Sequence, residues 1–315
     1  MRFSPDEAHE LARRAAMRAG AREDVADSLA KAVVSAERAG KKTVGFAHLI
    51  DYLHAFAEGR IDGKATPVVT YPAPALIRVD AQQGIAQLGF DLAFEELMAR
   101  AKAHGVATFQ QHGSYTAGEL GYYTRRLAGR GLLAMAVSNA PALMTTAESR
   151  KPILGTNPLS FAAPLENGGP LVFDQASSAT AFVNVRHAAQ AGEAIPEGWA
   201  LDGAGEPTTD SREALNGALL AFGGARGANI ALMVEVLAAG LTGANWSLDA
   251  PSFVQGGQSP SVGLCVVAWD AAAGFGTRLQ THIERLAQCG MHIPGRRGSL
   301  DELDIPDDII EQLER

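Results

Sequence analysis

The sequence lacks most features that assign a protein at a glance. Two cysteines, Cys265 and Cys289, stand in 315 residues, without the spacing of a disulfide framework or a cysteine metal site, which points to a reducing, cytoplasmic setting. No window holds 18 uncharged apolar residues, and Met1–Glu7 is polar, so neither a membrane span nor a signal peptide is expected. Positive charge is also scarce. The net charge is −8, no segment gathers Lys and Arg, and a nucleic-acid partner is therefore not expected. Standard motifs are missing as well. Gly223–Gly227 has the wrong spacing for a dinucleotide fingerprint, and Gly40-Lys41-Lys42-Thr43 lacks the upstream glycine of a phosphate loop. There is no H-E-x-x-H, no G-x-S-x-G, and no close histidine pair for a metal.

What is present describes a globular α/β chain, 47% hydrophobic and 20% charged, long enough for one large or two modest domains. Ser4-Pro5-Asp6-Glu7 has the form of a capped helix start. Helices are predicted from there to Gly20, over about Arg22–Ala39 and over about Val44–Glu58. Further on, strands over Ala75–Asp80, Val106–Gln110, Leu132–Asn139, Ser160–Ala163 and Leu171–Asp174 alternate with helices over Phe90–His104 and Gly118–Gly129. That order predicts a mixed or parallel sheet. Helices are also predicted over Ala179–Ala191, Asn229–Leu241, Phe275–Gln288 and Leu300–Arg315. Val262–Trp269 is almost continuously apolar, as in a strand buried on both faces. Ile195–Asp210 and Asp249–Ser261 are read as long surface loops.

One segment is more specific. Gly155-Thr156-Asn157-Pro158-Leu159-Ser160-Phe161-Ala162-Ala163-Pro164 resembles the G-T-N-P-L-x-F-x-x-P signature of the type 2 malate/L-lactate dehydrogenase family. Further matches follow in the family's order. Phe173-Asp174-Gln175-Ala176-Ser177-Ser178 is similar to its L-D-M-A-T-S segment. Ile195–Asp202 with Pro207–Asp210 is similar to its I-P-x-G-W-A-x-D…P-T-x-D loop. Gly223–Gly227, Ala231–Glu235 and Leu241–Ala244 resemble G-G-x-K-G…L-x-L-x-x-E…L-x-G-A, and Ile293-Pro294-Gly295 stands near the end.

The resemblance implies a mixed-sheet, three-layer, non-Rossmann NAD(P)-binding domain, set at residues 76–264. It packs on a domain formed by the terminal segments, residues 1–75 with 265–315. It also implies NADPH or NADH as cofactor, a small-molecule substrate, a homodimer, and active sites between the domains. By position, the cofactor contacts fall on Thr116, Thr156, Asn157, Phe173, Gln175, Ala176, Ser177, Ser178, Ala225, Arg226, Gly295, Arg296 and Arg297. The charge of Gly295-Arg296-Arg297 favours a 2′-phosphate, hence NADPH. Small polar side chains such as Thr156 and Asn157 serve a Gly/Pro turn equally well.

The chain departs from the family at its proton donors. The helix motif S-H-G-x-x-R-x-x-x-Y corresponds to Thr43–Tyr52, which puts Val44 in the histidine position and His48 in that of the carboxylate-binding arginine. In Ser114–Tyr123, which matches S-N-H-F-G-x-x-G-Y-Y, Thr116 replaces a second histidine. Valine carries no proton, yet reduction of a keto acid requires one for the forming alkoxide. A protonated cyclic imine accepts hydride with no further proton transfer. The expected catalytic residues are His48, Asp174 and Thr43, and Asp174 is suited to pair with the iminium. His48 also reads as a packed histidine, and Thr43 and Thr116 as local capping hydroxyls. The expected activity is reduction of Δ1-pyrroline-2-carboxylate or Δ1-piperideine-2-carboxylate, in amino-acid or hydroxyproline catabolism. A 2-hydroxy-acid dehydrogenase and a silent nucleotide-binding paralogue are the alternatives.

Overall fold

The helix start at Ser4 forms in full. Ser4 Oγ accepts from Glu7 N–H at 3.3 Å, and the Glu7 carboxylate accepts from Ser4 N–H at 2.8 Å, so two orphan donors of the Pro5–Arg18 helix are satisfied together. This is seen in a computed structural model, which describes residues 1–146, 148–295 and 298–314. Arg296 and Arg297 lie outside the described residues. Helices Pro5–Arg18, Glu23–Arg38 and Phe46–Ala57 bury Leu11, Leu29, Val33 and Leu49 in one core, which also takes in Leu303, Ile310 and Leu313 from the other end of the chain. The two ends are thus packed on each other.

A seven-stranded sheet carries the rest. Its order is Val68–Ala73, Leu76–Asp80, Val106–Ser114, Val262–Asp270, Leu132–Ser138, Leu159–Ala163, Leu171–Gln175. Only the second and third strands pair in parallel; every other neighbouring pair is antiparallel. The sheet is therefore mixed. The Val262–Asp270 strand sits at its centre and runs unbroken through residues 264 and 265.

Period-two alternation on that strand separates the layers. Leu264, Val266 and Ala268 face a core with helices Ala86–His104 and Gly121–Ala128. Cys265, between them in sequence, faces the other way into a cluster with Val234 and Ala238 of the Ala225–Glu235 helix and its continuation. Helices therefore cover both faces, in three layers. Phe90, fully buried, meets Phe109 and Tyr123 edge-on at centroid distances of 5.6 and 4.9 Å. Its truncation to alanine would cost about 3–5 kcal/mol.

Several elements differ from the sequence reading. Leu300–Arg315 is not one helix: Leu303–Asp304 is a strand paired with Arg2–Phe3, and the helix covers only Asp307–Glu314. Pro306 disfavours helical backbone at the residue before it. Ile195–Asp210 is not all loop. Ala200–Leu201 and Pro207–Thr208 pair in a four-stranded sheet with Ala218–Leu220 and Met144–Thr145, in strands too short for a visible alternation. Val68–Ala73 contains Pro72, which a sheet accepts at its edge, where this strand lies.

Candidate active site

The segments that carry the resemblance converge at the end of the Leu171–Gln175 strand. Ser177 N–H donates to the Thr156 carbonyl and Ser177 Oγ to the Asn157 carbonyl, both at 2.7 Å. Phe222 N–H donates to the Ser177 carbonyl at 3.0 Å, and Ser178 bridges Ala221. This places Gly223–Arg226 beside the Gln175–Ser178 segment. Gly295 crosses the same strand so closely that a Cβ there would lie 2.7 Å from the backbone N and O of Val172.

Asp174, half-buried at the strand end, does not cap a following helix; that helix begins only at Phe182. Its Oδ2 instead accepts from Gly121 N–H at 2.9 Å, at the start of the Gly121–Ala128 helix. Loss of water lifts its carboxyl from the ordinary 3.8 to about 6, and the negative Glu119 adds to the rise. The Gly121 N–H, Lys41 and Arg125 oppose it. Lys41 Nζ also donates to the Asp174 carbonyl at 3.2 Å. The loop leading to the Phe46–Ala57 helix thus touches the strand that ends at Asp174. That helix is held at its first residue by the buried Glu37, whose Oε1 accepts from Phe46 N–H at 2.9 Å.

On this helix His48 Nδ1 lies 2.8 Å from Asp51 Oδ2, and Nε2 lies 3.2 Å from Thr116 Oγ1. The ring is edge-on to Tyr52 at 5.0 Å and to Phe253 at 5.9 Å. Thr116 Oγ1 donates to Tyr52 Oη at 2.7 Å, and Gln87 Nε2 donates to the same oxygen at 3.2 Å. Burial pushes the Tyr52 hydroxyl up to about 12, so it keeps its proton. Val44 stands half-buried where the resemblance expects histidine. Thr43, in the same turn, is exposed.

Most of the candidate cofactor residues fall into two groups; Ala176 is partly exposed beside them, and Thr116 lies apart with His48 and Tyr52. Phe173, Gln175, Thr156, Ala225, Arg226 and Gly295 are partly or fully exposed, and Phe173 stacks on Phe161 with centroids 5.6 Å apart. Asn157, Ser177 and Ser178 are buried. Asn157 Nδ2 donates to the Ala231 carbonyl at 2.9 Å and to Glu235 at 2.7 Å, and the Glu235 carboxylate is further bonded by Ser247. Its amide ties the signature turn to the Ala225–Glu235 helix rather than opening to solvent.

The glycine ledge has room for an anionic group. Gly223 and Gly224 have φ of +60° and +64°, and an added Cβ at either meets nothing within 4 Å. No side chain caps the following helix, so its leading N–H groups remain available to an anion, with Arg226 exposed among them. Gly227 behind the ledge has no room for a side chain against the Phe222 carbonyl. Sequence reasoning missed Glu119, Arg125, Lys41 and Asp51. Only Asp51 carried a signal, as the i+3 neighbour of His48 on one helix face. Among the described residues no group of three His, Cys, Asp or Glu side chains is placed to hold a metal, and no helix is long and apolar enough to cross a membrane.

Comparison with known proteins identifies the family. A family model described as malate/L-lactate dehydrogenase matches residues 3–301. The chain is 39% identical over 300 residues to a (2R)-3-sulfolactate dehydrogenase (NADP(+)) of Chromohalobacter salexigens, covering 91% of this chain and 90% of the relative. It is 38% identical over 287 residues to a Δ1-pyrroline-2-carboxylate/Δ1-piperideine-2-carboxylate reductase of Pseudomonas putida, covering 89% and 84%. The solved structure of a Δ1-piperideine-2-carboxylate reductase from Pseudomonas syringae superposes with a TM-score of 0.92 at 34% identity, over 100% of this chain and 99% of that one. This chain belongs to the malate/L-lactate dehydrogenase family of oxidoreductases.

Proposed function

We propose that the protein reduces a small cyclic imine acid, Δ1-pyrroline-2-carboxylate or Δ1-piperideine-2-carboxylate, with NADPH or NADH. The carrying observation is Asp174, a carboxyl lifted to about 6 beside a helix start, in a site with valine and threonine at the two histidine positions. A carboxyl of that strength shares one proton with an imine nitrogen near neutral pH. The proton rests on the imine nitrogen, and the ionised Asp174 carboxylate pairs with the resulting cation. The iminium carbon is then open to hydride, which reduced nicotinamide supplies when bound. The neutral amine product needs no second donor. His48, oriented by Asp51, takes the substrate carboxylate from the other side.

The cofactor would be held by the Gly223–Arg226 ledge, by Phe173–Ser178 and by the Gly295 turn, with Thr156 alongside and Asn157 acting through the turn it braces. Arg226 supports a phosphate contact, and the relative named for NADP(+) supports the phosphorylated cofactor. We place the nucleotide-binding unit at residues 76–264 and the terminal segments, 1–75 with 265–315, in the second unit, with both boundaries corrected for the sheet: the Val262–Asp270 strand runs across residue 264 and Val68–Ala73 pairs at its edge. A homodimer is supported by Leu232, Met233, Val236, Leu241, Trp246 and Leu248, which leave one stretch of the molecule apolar and exposed. The free cysteines Cys265 and Cys289 suit a cytoplasmic setting, and the imine substrates suit amino-acid or hydroxyproline catabolism.

A second reading, a 2-hydroxy-acid dehydrogenase, is favoured by the sulfolactate relative and by the His48–Asp51 pair, which is built like a donor dyad. A substrate panel followed at the nicotinamide absorbance decides between them. Turnover of cyclic imine acids well above that of 2-keto acids is the expected result. Keto-acid turnover alone would reverse the order, and dinucleotide binding without turnover of either would mark a silent paralogue.

A further inference from the structure

Glu119 takes no proton and holds no substrate in the chemistry described so far, yet its side chain is 1% exposed and it flanks Gly121, whose N–H bonds Asp174. Its carboxylate receives Arg125 Nη2 at 2.6 Å, and Arg125 Nη1 reaches on to Ser35 Oγ of the Glu23–Arg38 helix at 2.9 Å. Gly121 lies between the two acids. Its N–H goes to Asp174, while a Cβ at this position would stand 2.5 Å from Glu119 Oε1 and 2.9 Å from Arg125 Nη2. Only a residue without a side chain allows these three charged groups to close around one peptide.

We infer that Glu119, fixed by Arg125, is a positioning residue that sets how firmly Asp174 holds its proton. The inference rests on the proposed role of Asp174 opposite the imine nitrogen. A buried, like-charged neighbour makes ionisation of a carboxyl costlier, and a cation makes it easier. Here both are supplied by one ion pair, so the Asp174 proton depends on the balance between Glu119 and Arg125. Lys41 acts from the opposite side. Arg126, the next cation on the same helix, is turned away to Asp91, and Lys42 bonds the Asp304 carbonyl. A site without either family histidine thereby keeps a buried carboxyl whose charge is set by its neighbours.

The Gly121 amide reports this directly, because it is bonded to Asp174 Oδ2. In the full-length, substrate-free protein, its TROSY resonance is followed from pH 4 to 9, with Asp174→Asn identifying the Asp174 transition. Glu119→Gln is expected to move that midpoint to lower pH and Arg125→Gln to higher pH. The pH limb of kcat/KM should move the same way in each variant. A Glu119 that only braces the fold would lower Tm in the variant and leave the midpoint where it was. An unmoved midpoint in either variant, or movement of both in one direction, overturns the inference. Should Glu119→Gln not fold, Arg125→Gln decides alone. Because the amide is read without substrate, the two proposals separate. Shifted midpoints with no imine turnover sink the function, whereas turnover with fixed midpoints sinks this inference.

Discussion

His48 and Asp51, one helical turn apart, are joined at 2.8 Å through Nδ1 and Oδ2, which aims the opposite ring nitrogen at Thr116. The family resemblance gives this position an arginine, a planar fork that grips a carboxylate at two points. A histidine offers one donor in the same direction and needs a second group to hold its ring. Asp51 is that group. His48→Ala should raise KM for the imine acid about 10- to 100-fold, equivalent to losing one charge-assisted hydrogen bond, with a smaller change in kcat. Asp51→Asn should raise KM in the same sense but less. If either variant lowered kcat while leaving KM alone, His48 would be serving the chemistry rather than holding the substrate.

Asp174 has a second consequence, for stability. Its folded-state carboxyl is lifted from 3.8 to about 6, so its contribution is complete below about pH 4 and is lost as pH rises through 6. That difference corresponds to a few kcal/mol at most. Asp174→Asn removes the penalty while keeping an acceptor for Gly121 N–H. The variant should match wild type in denaturant unfolding at pH 4 and exceed it at pH 8 by on the order of 1–3 kcal/mol. Equal stabilities at pH 8 would mean that the carboxyl is not desolvated. Turnover should fall steeply in the same variant, separating stability from function at one residue.

The glycine ledge makes a prediction about the cofactor alone. Arg226→Ala should weaken dinucleotide binding about 10-fold, the scale of a partly exposed charged hydrogen bond, as read by titration of nicotinamide fluorescence. Thermal stability should stay within about 0.5 kcal/mol because Arg226 is exposed. Unchanged binding would remove this helix start from the cofactor site.

The apolar exposed stretch around Trp246 predicts self-association. Light scattering should give a dimer mass, and Trp246→Glu together with Val236→Glu should shift the protein toward monomer. A monomeric wild type at micromolar concentration would contradict that assembly.

Much of the fold was legible because its signals are local. The Ser4–Glu7 capping box, the apolar run at Val262–Trp269 and the glycine ends of the first three helices each correspond to an element seen in the structure. The two- and three-residue strands at Met144, Ala200, Pro207 and Ala218 were not, since pairing rather than pattern defines them. The same limit applies at the site. Asp174 was visible as an acid in an apolar strand, and His48 through the register of its helix. Glu119 and Arg125 were not. Six residues apart, they form one ion pair only because the chain turns at Gly121. Asn157 stood out in its signature, but whether its amide faces a ligand or the Glu235 carboxylate depends on a contact 78 residues away in the chain.

The central claim is that ionised Asp174 meets a protonated imine, and the pH dependence of kcat/KM for Δ1-pyrroline-2-carboxylate tests it most directly. Below about 6 the carboxyl is neutral and no longer pairs with the cation, so the rate should fall on the acid side with a limb near 6 that disappears in Asp174→Asn. A rate that instead rises as pH drops through 6, with 2-keto acids as the better substrates, would mean that Asp174 donates its proton to an alkoxide, and would contradict the account.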